Sequence, residues 1–372
     1  MYVDLWGWFW QEERNAYRNN DDIVKQVIEL ARQGWMYRRN AQSNLMLQSF
    51  EQAAAIAREH HNPCWELFAT YWACSTLFYH VDDLQAALER TVKLVARAHE
   101  EAIIHCPIRS RIYFLLADIY YEIDVFGYED KIRESLTFIE TEIASDEDTY
   151  FRVQHRFADL AFLHEDYDAA FERVTAYMAK IEDNDFRMRS ANQLLRLLAY
   201  ARGDLTTAYE HSIQAEKYAR TIQSHVDIGV EALWQAAFLQ HLDDQTTANA
   251  KYLQGNMIFI THDLPHWPDY YNAMCDYLET NNQPTKALEK RNQQIEEYTN
   301  YGSWFYLGLA HLQKCRLLQR MKPDEPDVKA AMQAARAISQ NMLKPALYLE
   351  KLAQIEAGNC YEYAWQKPTD EG

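Results

Sequence analysis

Histidine and cysteine side chains cluster at three places in this sequence, and these are the residue types that bind transition metals. The three groups are Glu59-His60-His61 with Cys64, His99 with His105 and Cys106, and His262 with His266. None of them has the paired ligand spacing of a structural zinc site, and the last spans a proline-containing loop. We therefore expect no metal.

Motifs for catalysis are missing from the sequence as well. It contains no H-E-x-x-H, no G-x-S-x-G and no glycine-rich phosphate loop. Without such a motif, no serine or cysteine can be nominated as a nucleophile. We expect a protein that is not an enzyme and that uses no cofactor.

Composition restricts the partners. The formal charge of −18 argues against nucleic acid, because phosphate contacts need a basic surface. The acidic residues either solvate outer helical faces or attract basic partners, and the sequence leaves both open. Apolar residues make up 48% of the chain, with only 10 Gly and 9 Pro, which favours long helices.

The chain start has no basic segment and carries Asp4, so it does not resemble a signal peptide. The most apolar stretch, 67–81, is too short to span a bilayer. Six cysteines without a regular framework fit the reduced thiols of a cytosol. The expectation is a soluble cytoplasmic protein without membrane contact.

The elements that must position any binding residues are repeated helical hairpins. Stretches 157–174, 194–212, 235–252 and 274–291 each read as an apolar helix, a short polar break, and a residue suited to cap a second helix, four positions before an alanine. The cap candidates are Asp83, Asp166, Asp204, Asp244 and Gln283, followed by Ala87, Ala170, Ala208, Ala248 and Ala287. Pro284 suits the first helical position.

A small residue lies twelve positions before most of these alanines. The pairs are Ala41/Ala53, Ser75/Ala87, Ala158/Ala170, Ala236/Ala248 and Cys275/Ala287, with Glu129 and Arg196 as exceptions. Two antiparallel helices approach closely only where their facing side chains are small, so each pair predicts the crossing point of a hairpin.

Small residues twelve apart in a helix-turn-helix unit resemble the tetratricopeptide repeat. The anchors, from Ala53 to Ala287, are separated by 34, 42, 41, 38, 40 and 39 residues, similar to the members with extended repeats. The resemblance implies an all-α, right-handed α-solenoid of about eight hairpins with capping helices. The eighth would carry Ala310 on its first helix, a break at Met321–Pro326 and a second helix from Val328 to Ile338.

The predicted organisation has three parts. Residues 1–34 form an aromatic segment and a capping helix over 21–34 that ends at Gly34. Residues 35–340 form the repeat array. Residues 341–372 form a capping helix over 343–358 and a polar tail, 366–372.

In tetratricopeptide proteins the first helix of each hairpin lines a concave groove that holds the ligand. Carried over position by position, the resemblance implies the following groove residues: Arg38, Gln42, Trp72, His80, Arg111, Asp118, Tyr121, Arg152, His155, Asp159, Gln193, Tyr200, Asn272, Asp276, Trp304 and Lys314. Tyr79, Gln240, His241, Glu279 and His311 occupy similar positions.

Arg111 and Arg152 fall at the same position of adjacent repeats. Together they could bind a carboxylate of a peptide, or each could pair with a neighbouring acid such as Asp118 or Asp159. The role of the aromatic residues is left undecided in the same way. The Trp6-Gly-Trp-Phe-Trp10 cluster either packs on the first hairpin or forms an exposed docking strip.

The resemblance therefore implies a scaffold or adaptor that binds a protein or peptide in its groove. Two alternatives stay open: a peptide-sensing regulator similar to the Rap-type phosphatase regulators, and a structural subunit of a larger, multi-subunit complex.

Overall fold

A computed structural model describes residues 4–40, 42–143, 145–181, 184–321 and 326–358. The chain divides into two compact units, unit 1 (Met1–Val153) and unit 2 (Gln154–Gly372). Eighteen α-helices and no β-strand form among the described residues, so the predicted all-α class is confirmed for them. None of these helices is both long and apolar enough to cross a membrane.

Unit 1 contains seven helices and the start of an eighth. They are α1 (Leu5–Asn19), α2 (Asp22–Arg39), α3 (Ser43–Glu59), α4 (Pro63–Tyr79), α5 (Leu84–Arg97), α6 (Arg109–Asp124), α7 (Glu129–Thr141) and α8 (Glu147–Leu163), which continues into unit 2.

Unit 2 contains the rest of α8 and ten further helices. They are α9 (Tyr167–Met178), α10 (Asp185–Ala201), α11 (Leu205–Thr221), α12 (His225–His241), α13 (Gln245–His262), α14 (Pro268–Thr280), α15 (Pro284–Tyr301), α16 (Trp304–Met321), α17 (Pro326–Ile338) and α18 (Ala346–Glu356).

Adjacent helices pack in pairs, from α2 with α3 to α16 with α17. For α8 and α9 the contact is made by two hydrogen bonds, His155 to Tyr177 and Arg173 to Gln154. We call the earlier member of each pair the first helix and the later one the second helix. The first helices are thus α2, α4, α6, α8, α10, α12, α14 and α16.

The predicted helix caps are confirmed in four of five cases. The carboxylates of Asp83, Asp166, Asp204 and Asp244 each accept a hydrogen bond from the backbone N–H three residues on, at 2.9 to 3.2 Å. These bonds satisfy one of the orphan donors that open each second helix. Gln283 makes no such bond, and Pro284 begins α15 as predicted.

Small residues lie where the helices of a pair must approach. Ala158, Ala170, Ala236 and Ala248 are completely buried. In the pair α14/α15 the Cys275 thiol lies 3.6 Å from the Ala287 carbonyl oxygen, so these two positions face each other directly. Of the pair Ala41/Ala53, Ala53 is buried, and Ala41 lies outside the described residues.

The N-terminal end differs from the prediction. The helix predicted over 21–34 does not end at Gly34 but continues to Arg39 as α2, and it pairs with α3. Gly34 lies inside α2 and does not end it. Its backbone lies close to the Phe50 ring, and a Cβ at this position would be only 2.7 Å from that ring. A further helix, α1, precedes it and includes Trp6 to Trp10.

At the C-terminal end, α18 lies within the helix predicted over 343–358, and Gly358 has the left-handed backbone typical of a helix end. Lys351 of α18 pairs with Glu165 in the turn before α9. The predicted second helix of the eighth hairpin is α17. Residues 322–325 of the predicted break, the tail over 366–372 and Cys360 lie outside the described residues.

The expectation that the cysteines are reduced is wrong for two of them. Cys64, at the start of α4, and Cys106, just before α6, form a disulfide with a Cα–Cα distance of 5.6 Å. Sequence spacing could not reveal the pair, because 42 residues separate its members. Cys74, Cys275 and Cys315 are free and buried.

Candidate functional site

The first helices of unit 1 bring together arginine and aromatic side chains. Arg111 in the first turn of α6 donates two hydrogen bonds to Asp146, from Nε to Oδ2 at 3.0 Å and from Nη2 to Oδ1 at 3.1 Å. Although burial opposes it, this contact raises the pKa of Arg111, and it lowers the pKa of Asp146. Asp146 also accepts hydrogen bonds from the backbone N–H and hydroxyl of Thr149, so its position is fixed.

Arg152, at the equivalent place on α8, is held more loosely. Its Nε donates to Asp148 at 2.9 Å, and its guanidinium lies 6.0 Å from the centre of the Phe114 ring. Among the described residues each arginine thus forms an ion pair with an acid, as one of the two sequence alternatives proposed, but with acids other than Asp118 and Asp159. The acids used instead, Asp146 and Asp148, lie at the α7–α8 junction, where the Asp146-x-x-Thr149 capping pattern was the available signal.

Donors remain at both arginines. Within the described part of the chain, Nη1 of Arg111 and both terminal nitrogens of Arg152 have no hydrogen-bond acceptor. The Trp72 indole N–H is buried and also without an acceptor there. The free nitrogens of the two arginines can therefore still donate hydrogen bonds to a ligand, whereas the Trp72 N–H has no access to solvent.

Tyr71 shows that the two arginines act on the same place. Burial raises the pKa of its hydroxyl, while the positive charges of Arg111 and Arg152 both act to lower it. Both guanidinium groups are thus close enough to Tyr71 for their charges to act on its hydroxyl. Tyr71 precedes Trp72, and sequence reasoning missed it because the family positions select only Trp72.

Two further aromatic residues border this place. The Tyr79 hydroxyl donates a hydrogen bond to Asp118 at 2.7 Å, and 44% of Tyr79 is exposed. Trp6 of α1 lies with its ring centre 5.9 Å from the Arg111 guanidinium and is 39% exposed. We call Trp6, Tyr71, Tyr79, Arg111 and Arg152 the arginine–aromatic site.

Other residues predicted for the groove in unit 1 lie elsewhere. Arg38 and Gln42 are exposed on either side of the turn between α2 and α3. His80 ends α4, and its pKa is lowered by burial and by the charge of Arg38. Tyr121 on α6 is buried, so it offers little surface to a ligand.

In unit 2, predicted residues connect successive first helices. Gln193 of α10 donates to Asp227 and Glu231 of α12, at 3.0 and 3.1 Å. His241 of α12 contacts Asp276 of α14 at 3.2 Å. These polar contacts join residues 34 to 38 positions apart, which is close to one repeat, and they connect successive first helices. Such contacts suit a structural role.

The remaining predicted residues of unit 2 are mostly engaged within hairpins. His155 bonds to the Tyr177 hydroxyl at 2.7 Å, and Asp159 pairs with Arg156 at 3.2 Å. Asn272 accepts from Arg291 at 3.0 Å. Tyr200 packs against Trp234 and Phe238 in the core, and Trp304 and Lys314 are half-buried on α16.

Arg196, an exception to the small-residue pattern, is the centre of the strongest polar cluster. It is fully buried, donates to Glu231 at 2.5 Å and to Asp269 at 2.7 Å, and lies over the Trp234 ring. Ser212 donates to Glu231 as well, at 2.8 Å. The large side chain fits at a hairpin crossing because its charge is paired by carboxylates from two neighbouring first helices.

Metal-ligating side chains and free thiols are the other groups that could do chemistry. No group of three or more metal-ligating side chains occurs among the described residues. Burial raises the pKa of Cys74 and Cys275 to about 11 and that of Cys315 to about 12. These thiols stay protonated at neutral pH and are poor nucleophiles.

Comparison with known proteins adds no family. A scan against protein-family models finds no match to this sequence, and a search of curated proteins finds no significant relative. The class that fold and site define is thus an all-α protein of packed helix pairs with a cluster of arginine and aromatic side chains on the first helices of unit 1.

Proposed function

We propose that this chain is a tetratricopeptide-like α-solenoid that works as a protein- or peptide-binding scaffold, with the arginine–aromatic site as its main contact surface. The single observation that carries the proposal is the pair Arg111 and Arg152, which retains guanidinium N–H donors beside exposed aromatic rings. The eight helix pairs and their confirmed caps support the repeat assignment.

The ligand best suited to this surface carries a carboxylate next to an aromatic or aliphatic side chain. The outward guanidinium donors would form charge-assisted hydrogen bonds with the carboxylate. Trp6 and Tyr79 would supply contact area at little cost in side-chain entropy. Because Asp146 and Asp148 already hold the inner edge of each guanidinium, the arginines are oriented before a ligand arrives.

An acidic protein can still bind a carboxylate here, since the local charges decide the contact more than the net charge does. Beyond about 8 Å, charges are largely screened at physiological ionic strength. The ligand is expected to bind more weakly as salt increases, because part of the attraction at this partly exposed site is electrostatic.

Selection from a random peptide library tests the proposal. The full-length chain should enrich peptides in which an acidic residue lies beside an aromatic one. Arg152→Glu should weaken binding of the enriched peptides at least tenfold, about 1.4 kcal/mol. Arg133→Glu is the matched control, because Arg133 is an exposed arginine on the second helix α7. Equal binding by both variants, or no enrichment, would contradict the proposal.

A structural subunit would use the same surface differently. It would hold one partner in a stable complex through purification, whereas an adaptor releases and exchanges its peptides. The dissociation rate of the selected peptides therefore separates these two forms of the proposed function.

A further inference from the structure

Helix α1 packs on the rest of unit 1 through one face. Leu5, Phe9 and Ala16 are buried, and they lie four and seven residues apart, on one side of the helix. Asp4 caps its start by accepting a hydrogen bond from the Gly7 N–H at 2.7 Å. The opposite side, with Arg14, is exposed. The helix is therefore amphipathic, and its first turn is capped by Asp4.

Phe9 is the central anchor of α1. It is fully buried, and its ring centre lies 5.3 Å from that of Trp35 on α2, 5.6 Å from that of Trp65 and 5.7 Å from that of Phe68, both on α4. Trp8 packs beside it on Trp65, at 4.9 Å. These aromatic side chains surround the Phe9 ring and hold α1 on its neighbours.

Trp6 extends the contact along the first helices. Its ring lies 5.5 Å from that of Trp35 on α2 and 6.5 Å from that of Trp72 on α4, and it also approaches Arg111 on α6. Three consecutive first helices thus contribute to the binding of α1. Among the described residues, the second-helix ring in these contacts is Phe50 of α3, which stacks on Trp72 and also approaches Trp35.

Polar contacts orient the helix. Glu13 pairs with Arg32 of α2 at 2.6 Å, and the same guanidinium lies 5.6 Å from the centre of the Trp10 ring. Only Asn20 and Asp21 connect α1 to α2. An amphipathic helix that lays one apolar face on a surface is also the form in which helical ligands bind in grooves.

We infer that α1 is a built-in helical ligand of the first-helix surface of unit 1, and that the surface accepts amphipathic helices with this aromatic pattern. The inference rests on the proposed function and adds a second mode of binding to it: a helix that replaces α1 and carries large aromatic residues three apart, as Trp6 and Phe9 are, with an acid seven residues after the first, as Glu13 is. Such a partner would compete with α1 and would gain access to Arg111 once Trp6 leaves.

Peptide exchange in a nicked chain tests this inference. A protease site inserted between Asn20 and Asp21 allows the full-length chain to be cut while both pieces stay present. The probe is a fluorescent peptide of residues Asp4 to Asn20. We expect the nicked chain to take up this peptide in place of its own α1. The uncut chain should bind it at least about a hundredfold more weakly, because the tethered α1 competes at millimolar effective concentration.

Matched peptides define the specificity. Phe9→Ala in the peptide should weaken uptake at least tenfold, while Arg14→Ala should leave it unchanged. A peptide of the same composition in which Trp6, Trp8 and Phe9 are moved to the exposed side should not bind. Equal uptake of all these peptides would contradict the inference.

The remaining outcomes also decide. A nicked chain that never exchanges its α1, or that unfolds after cleavage, would make α1 part of the core and overturn the inference. Neither result would affect the proposed function, because the library selection uses the uncut chain and reads Arg152. Loss of library binding with normal peptide exchange would instead remove the arginine–aromatic site and keep α1 as a helical ligand.

Discussion

The first helices of the two units carry arginine residues that differ in burial and in ion pairing. In unit 1, Arg152 has a side chain that is 40% exposed, and it uses one of its three nitrogens on Asp148. In unit 2, Arg196 is fully buried and pairs with two carboxylates. The same residue type on a first helix can thus offer donors to a ligand or join neighbouring hairpins.

The difference teaches that burial, more than residue type, separates binding residues from structural ones in such an array. A buried ion pair strongly destabilises a protein when one partner is removed, whereas an exposed pair contributes little. Changes at the buried ion pairs of unit 2 should therefore act on stability, and changes at the arginine–aromatic site of unit 1 on binding. The predictions below test that division, beginning with the largest effect.

Removing Arg196 should have the largest effect on stability. Arg196→Met leaves Glu231 buried without its cation and should lower the free energy of unfolding by about 3–5 kcal/mol. Arg152→Met should change it by less than about 1 kcal/mol, because its pair is partly exposed. Denaturant titration of both variants, with hydrogen exchange to locate the loss in α10 and α12, gives the answer. Equal losses would erase the contrast between the units.

Reducing the disulfide should destabilise unit 1 alone. Cys64–Cys106 closes a segment of 42 residues, for which restriction of the unfolded chain predicts about 2–4 kcal/mol. Adding a phosphine reductant should therefore increase hydrogen exchange around α4 and α6 and leave α10 to α16 unchanged. The Cys106→Ser variant should not respond to the reductant. Reductant-sensitive exchange in unit 2 would contradict the prediction.

Enlarging a hairpin crossing should cost less than either change. Ala248→Leu places a larger side chain where α12 and α13 meet, and overpacking should cost about 1–3 kcal/mol. Ala250→Leu, two residues on along the same helix and exposed, should be nearly neutral. A tolerated leucine at 248 would mean that the small residues do not set the approach of the helices.

Removing a helix cap should have the smallest effect. Asp204→Ala should cost about 1 kcal/mol, whereas Glu210→Ala, which removes the same charge from an exposed site on α11, should cost little. The hydrogen bonds from Thr207 lower the pKa of Asp204. The stabilisation is therefore complete above the ordinary aspartate pKa near 4 and is lost as pH falls through the lowered value. An Asp204→Ala penalty that does not decline at all as pH falls below about 4 would contradict the capping role.

Local features of the fold could be predicted from the sequence because they depend on neighbouring residues. Asp83, Asp166, Asp204 and Asp244 cap helices as expected, and Ala158 with Ala170 marks a buried crossing. Helix α1 was not predicted, because its aromatic residues read as a segment without a clear period.

The site was harder to predict, because side-chain partners come from distant parts of the chain. Arg111 finds Asp146, 35 residues away, and the sequence suggested Asp118 instead. Arg196 violates the small-residue pattern, and only the positions of Glu231 and Asp269 explain why it is tolerated. Pairing across hairpins depends on the packing angle between neighbours, which a repeat pattern does not specify.

Hydrogen exchange of the chain with a selected peptide bound tests the central claim most directly. If the first helices of unit 1 form the binding surface, amides at the start of α6 and in α4 and α8 become protected, while α10, α12 and α14 keep their rates. Protection confined to the second helices α3, α5 and α7, or to unit 2, would contradict the account.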